Sequence, residues 1–204
     1  MHTMTRFATA LILGCVFVSC TKANSQAFAV PQFDRQDLAF TYNPSDANEV
    51  GGYGFWMQGS SAQFQSRLSL HWGIVADVAG LHASSIHGSS LGLDLITATA
   101  GPRFTWSPPR TRLGLFGEGL AGTAHGMNSL FPVGNTTESS ANSLALQLGG
   151  GVDLPISPHF ILRPVQVDWV RTQLPNSTTN VQNNIRLGIG IVYVLRGAQT
   201  QSFR

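Results

Sequence analysis

Residues 142–154, "NSLALQLGGGVDL", set the strongest constraint on what this chain can become. Apolar residues fall at even positions (Leu144, Leu146, Leu148, Val152, Leu154), interrupted only by Gly150. The odd positions carry Ser143, Ala145, Gln147, Gly149, Gly151 and Asp153. Side chains alternate across a strand with period two, so this segment has one greasy face and one small, polar face. In "RLGIGIVYVL", Leu187, Ile189, Ile191, Tyr193 and Leu195 share one face, and Arg186, Gly188, Gly190, Val192 and Val194 share the other. A fold built from such strands must give the near-bare face a cramped place and the apolar face a broad one.

Eight segments of this kind are read at residues 37–43, 55–70, 73–82, 91–107, 113–126, 143–154, 160–172 and 184–195. The fifth is ambiguous in phase. The seventh contains Pro164, which cannot donate to a ladder and marks a bulge or phase slip. No helical period of useful length and no apolar run suited to a membrane helix follows residue 28. Connections alternate in length: 44–54, 83–90, 127–142 and 173–183 are long, whereas 71–72, 108–112 and 155–159 are short. In a meander these two sets lie at opposite ends, the asymmetry of outer-membrane barrels.

The polar face separates a membrane barrel from a soluble ligand-holding one, which alternates with polar residues in water. Water-facing strands would carry many Lys, Glu, Asp and Thr. Here charged residues are 11% of the chain, the only lysine is Lys22, and Gly numbers 22. Small side chains suit the narrow interior of an eight-stranded barrel. The expected fold is therefore all-β: an eight-stranded antiparallel up-and-down transmembrane β-barrel, leucines toward hydrocarbon and glycines toward the lumen.

Strand phase turns Arg67, Asp77, Arg103, Asp153, Asp168 and Arg186 inward, together with Glu118. Gln63, Gln65, Gln147 and Gln166 join them. Buried charges persist when paired and hydrogen-bonded, so an ion-pair network plugging the lumen is expected. Trp72, Trp106, Phe104, Phe160 and Tyr193 gather toward the short-turn end, and Tyr42, Tyr53, Trp56 and Trp169 toward the long-loop end. Two aromatic girdles at the membrane interfaces are the expectation, with Trp72, Trp106, Trp169 and Tyr193 as their markers.

Residues 1–27 read as a signal peptide: Arg6, the apolar run 7–18, and "NSQA" with Ser25 and Ala27 as small cleavage-site residues. Residues 28–36 form an N-terminal segment, 37–195 the barrel and 196–204 a tail. Both cysteines, Cys15 and Cys20, fall in the leader. The rival reading makes Cys20 a lipidated first residue, with Phe17 where a branched residue usually stands. Residues 28–204 hold ten Arg against ten Asp plus Glu, which argues against a nucleic-acid surface.

At "GIVADVAGLH" (73–82), "GPRFTW" (101–106), "LALQLGGGVDL" (144–154) and "RPVQVDWVRTQLPN…NVQNNIRLGIGIV" (163–192) the chain resembles the small OmpA-like, porin-family outer-membrane β-barrel proteins of Gram-negative bacteria. The resemblance implies eight antiparallel strands, insertion by the outer-membrane assembly machinery, long loops outside the cell and turns in the periplasm. The implied surroundings are the outer-membrane bilayer and its lipopolysaccharide, with a ligand of the loops left open. Members commonly end on an aromatic residue closing the last strand; here Leu195 precedes the tail "RGAQTQSFR".

No enzyme is expected. The pattern nearest to chemistry is "LHASSIHGSSLGLD", with His82, Ser84 or Ser85, and Asp94 around one loop, the residue types of a lipid A hydrolase. A Ser/His/Gly-rich surface loop accounts for it more simply, and His125 with Ser129 is weaker. The histidines at 71, 82, 87, 125 and 159 show no metal-ligand spacing, and no cofactor is implied. "GGG" at 149–151 lacks the strand-turn-helix setting of a phosphate loop.

Overall fold

In the computed structural model, residues 35–48, 54–86, 92–133, 135–176 and 179–196 are described. The expected leader, Tyr53 and the tail beyond Arg196 lie outside them. Eight strands follow in order: β1 (Gln36–Asn48), β2 (Gly54–Arg67), β3 (Trp72–Ala83), β4 (Leu93–Trp106), β5 (Gly114–Val133), β6 (Thr136–Pro155), β7 (Phe160–Thr172) and β8 (Gln182–Arg196). Each pairs antiparallel with its neighbour, and β1 also pairs with β8, closing the barrel. Closure leaves the common part of the cylinder without a free edge.

The two-residue alternation is cleanest in β3. Val75, Asp77, Ala79 and Leu81 are buried, while Trp72, Ile74, Val78 and His82 are exposed. The whole outer wall inverts a soluble protein: Phe40, Phe64, Ile74, Leu144, Leu148, Ile189 and Ile191 are all exposed, whereas Arg103, Arg163 and Arg186 are at most 1% exposed. The phase of β5, ambiguous in sequence, places Phe116, Glu118, Leu120 and Ala124 inside.

Gly149 explains the bare face of residues 142–154. It lies in register between Glu118 of β5 and Asp168 of β7, and Asp168 in turn faces Arg186 of β8. A Cβ at Gly149 would stand 1.9 Å from Asp168 Oδ1. The missing side chain is the space that the carboxylate occupies.

Two features differ from expectation. Residues 127–142 are not a long loop: β5 runs on to Val133 and β6 begins at Thr136, the two continuing as a paired hairpin. Its upper rungs, Phe131–Glu138 to Val133–Thr136, pair only with each other, because β4 pairs with β5 no further than Met127 and β7 with β6 no further than Ala145. Second, β7 carries a register shift between Arg163 and Gln166, around Pro164. Carried back from Gln166 and Asp168, simple alternation would put Arg163 outside. The shift turns it inward, so Arg163 and Gln166 are both buried.

Candidate functional site

The middle of the lumen holds a continuous polar network. Arg103 of β4 meets its register partner Glu118 of β5: Nε donates to Oε2 at 2.7 Å and Nη2 contacts the same oxygen. Its Nη1 donates to Gln65 Oε1 at 2.9 Å and its Nη2 to Gln63 Oε1 at 2.6 Å. Gln63 Oε1 also accepts from Arg163 Nη1 at 2.8 Å, while Gln63 Nε2 donates to Glu118 Oε1 at 3.2 Å. One amide therefore ties two guanidinium groups to one carboxylate. Gln147 Nε2 donates to Glu118 Oε1 at 3.4 Å and accepts from Thr99 at 3.3 Å.

Arg163 grips Asp153 with Nε at 2.8 Å and Nη2 at 3.1 Å, a two-pronged contact matched to the carboxylate. Gln166 Nε2 donates to Asp168 at 2.9 Å, and Arg186 donates to Asp168 Oδ2 at 2.8 Å and to Asp77 Oδ2 at 3.0 Å. Both cations lie against the Phe116 ring, with Arg103 Cζ 4.2 Å and Arg163 Cζ 4.4 Å from its centroid. A ring face attracts a desolvated cation, so the aromatic favours both guanidinium groups.

Of the seven charged residues assigned inward by phase, the structure brings six into these contacts: Asp77, Arg103, Glu118, Asp153, Asp168 and Arg186. Arg67 is not among them. It ends β2, is only partly buried, and its Nε has no hydrogen-bond partner. Asp37 is bound by Arg35 at 2.8 Å and Asp153 by Arg163, so the carboxylates at that end are already engaged. Arg163 takes the place expected of Arg67. The sequence signal for it was Pro164, whose bulge had to be given a direction before Arg163 could be assigned.

Sequence reasoning also missed an apolar layer above the ions. Met57, Leu81, Leu95, Ala124, Phe131 and Leu174 pack as a buried cluster toward the long-connection end. Leu174 and Phe131 lie outside the segments read as strands, so alternation could not reveal them.

On the outer wall, Trp72 and Phe104 stack edge to face at 5.3 Å, and Phe160 packs on Tyr193 at 5.2 Å. Trp72, Trp106, Phe104, Phe160 and Tyr193 are all exposed at the short-turn end. Toward the other end Trp56 and Tyr42 are exposed and Trp169 is partly so.

No protein-family model matches the chain, and no curated protein resembles it in sequence. Solved structures do match in shape. Neisserial surface protein A superposes with a TM-score of 0.63 at 13% identity, over 78% of this chain and 96% of that one. The attachment invasion locus protein Ail of Yersinia pestis gives 0.53 at 18% identity, over 79% and 99%. The same protein in complex with the heparin analogue sucrose octasulfate gives 0.54 at 20% identity, over 79% and 99%. This chain has the fold of the eight-stranded outer-membrane β-barrels.

Around the long-connection rim of this outer-membrane-type barrel, polar side chains replace the apolar wall. His82 and Asp94 are register partners on β3 and β4, and His82 Nδ1 donates to Asp94 Oδ1 at 2.5 Å. Asn128 Nδ2 donates to the other oxygen of Asp94. His125 Nδ1 donates to Asn142 Oδ1 at 2.6 Å, and Tyr42 to Gln58 Oε1 at 3.0 Å. The structure thus joins His82 to Asp94, while His125 is held by an amide. Among the described residues no group of three His, Cys, Asp or Glu is placed to hold a metal ion.

Proposed function

We propose that this protein is an integral β-barrel of the outer membrane with a closed, ion-paired lumen, acting through the connections at its open-rimmed end rather than through a pore. The inversion of the wall carries this reading: exposed Leu, Ile, Val and aromatic residues outside, fully buried and paired Arg, Asp and Glu inside. Water would reverse both preferences, whereas hydrocarbon outside favours them. A soluble ligand-holding barrel would need an empty apolar interior, and here side chains from opposite walls meet, as Arg186 on β8 does with Asp77 on β3. Phase-selected charges and the Met57–Leu95–Phe131 layer act in series to bar ions and solutes.

The interacting parts in this reading are the connections 49–53, 84–92 and 173–181 and the protruding β5–β6 hairpin. Residues 1–27 direct export, the assembly machinery inserts the barrel, and lipopolysaccharide surrounds its outer rim. Purified protein is expected to require surfactant and to migrate faster on gels before heating than after. Spin labels at Leu146 and Ile189 are expected to report lipid, and a label at Gln147 a tightly packed, immobile site. Proteolysis of intact cells is expected to cut only at those connections and the hairpin tip. A chain that stayed monodisperse without surfactant, or labels at Leu146 and Ile189 reporting water, would overturn the reading.

A further inference from the structure

The outer wall carries a groove one outward-facing row below the His82–Asp94 pair, and nothing in the structural role of the barrel uses it. The groove, of about 550 Å³, is lined by Phe40 and Tyr42 of β1, Ser60 and Ala62 of β2, and Val78 and Gly80 of β3. Small outward residues at Ser60, Ala62 and Gly80 set the floor back, and Phe40, Tyr42 and Val78 stand exposed around it. These residues occupy consecutive register rows, Phe40–Ala62–Val78 and Tyr42–Ser60–Gly80. The next row toward the rim is Gln58–His82–Asp94. The groove therefore lies on the apolar side of His82, with the polar row one step nearer the rim.

His82 is set up as a base. A carboxylate only accepts, so the 2.5 Å contact to Asp94 Oδ1 places the proton on Nδ1 and leaves the lone pair on Nε2. Asp94 is itself fixed by Asn128 on its second oxygen. The His82 side chain is 64% exposed and Asp94 29%, so the imidazole is reachable while its orienting partner is less so. Ser84 is exposed and follows directly after the last residue of β3, two positions beyond His82. Two trans peptides hold their Cα atoms within about 7 Å of each other, a separation that an imidazole and a hydroxyl can bridge.

We propose that Ser84, His82 and Asp94 form an ester-hydrolysing site at the membrane surface, with the groove holding the acyl chain of an outer-leaflet lipid. The inference rests on the barrel lying in a membrane and is otherwise independent of the lumen. Ser84 Oγ attacks the ester carbonyl as His82 Nε2 takes its proton. The tetrahedral intermediate collapses by breaking the bond to the alcohol oxygen, which leaves with that proton. Water, deprotonated by His82, then cleaves the acyl-serine, releasing the fatty acid and restoring Ser84. Asp94 holds the tautomer and favours the imidazolium that forms in between.

The test uses the full-length barrel in two kinds of vesicle, one of lipopolysaccharide with phosphatidylethanolamine, the other of phosphatidylethanolamine with phosphatidylglycerol. Released fatty acid is read by mass spectrometry, and a fluorophosphonate probe reads the nucleophile. Wild type is expected to release fatty acid in at least one arm, and which arm responds identifies glycolipid or phospholipid. S84A and H82A are expected to lower the rate on the order of a thousandfold, D94N to lower it strongly, and S85A to leave it unchanged. The probe is expected to label Ser84. Heat-dependent gel mobility checks that each variant has folded. Wild-type barrel that is folded yet releases no fatty acid in either arm and takes no label would overturn the proposal, as would release that survives S84A and H82A.

Discussion

Arg186 shows how much a single lumen side chain carries. It binds both Asp77 and Asp168, and all three are at most 1% exposed. Replacing it with methionine strands two carboxylates in a dry interior, and removing one member of a buried pair costs about 3–5 kcal/mol. The Arg186→Met barrel should therefore unfold at clearly lower urea concentration in lipid vesicles. Arg67→Gln should change the midpoint little, by less than about 1 kcal/mol, because Arg67 is only partly buried and stands in none of the ion pairs formed among the described residues. A comparable effect of both substitutions would refute the assigned network. Gly149→Ala belongs to the same scale: its Cβ would meet Asp168 Oδ1 at 1.9 Å and displace the carboxylate from Arg186. Overpacking of this kind costs about 1–3 kcal/mol, and the loss should appear in the same unfolding midpoint.

Among the elements, the β5–β6 hairpin and the bulge in β7 do opposite jobs. The hairpin's upper rungs pair only within themselves, so they add nothing to barrel closure. Replacing residues 132–137 with a two-residue turn, which keeps Phe131 in the apolar layer with Leu174 and Met57, should leave the gel-mobility shift and the urea midpoint close to wild type. A lowered midpoint would refute the view that the outermost rungs stand apart from barrel closure. The bulge, by contrast, sets which charges enter the lumen. Deleting Pro164 removes the one extra residue, so simple alternation then keeps Val165 outward and Arg163 inward, and insertion yield in vesicles should stay close to wild type. A loss on the scale of a cation moved to the lipid face, about 2–4 kcal/mol near the bilayer midplane, would refute the bulge as the cause of Arg163's inward turn.

For the whole molecule, the proposed closure of the lumen rests on two layers: the ionic network and the apolar cluster at the long-connection end. In planar bilayers the barrel should give no steady conductance at any moderate voltage. Alanine at Met57, Leu81 and Leu95 together should still leave the channel shut, because the ionic layer remains. A steady open current in wild type would refute the closed lumen.

How much of this was readable in advance depends on the range of the physics. Strand number, wall polarity and most inward charges follow from period two, which is local: Leu146 and Gln147 declare their faces from their immediate neighbours. Asp77, Arg103, Asp153, Asp168 and Arg186 were legible in this way, whereas the ambiguous phase of the fifth segment left the face of Glu118 to the structure. What period two cannot supply is anything requiring an origin or a partner. Arg163 needed the direction of the Pro164 bulge, and Arg67 lost its place because Arg35 and Arg163 reached the nearby carboxylates first. His82 and Asp94 sat in sequence among many serines and glycines, and only the β3–β4 register set them face to face above the groove. The amino-acid order by itself determined which side of each strand faces oil, because hydrophobicity acts residue by residue. Closure of the cylinder alone decided which charges meet across it, because those distances depend on the register of eight strands at once.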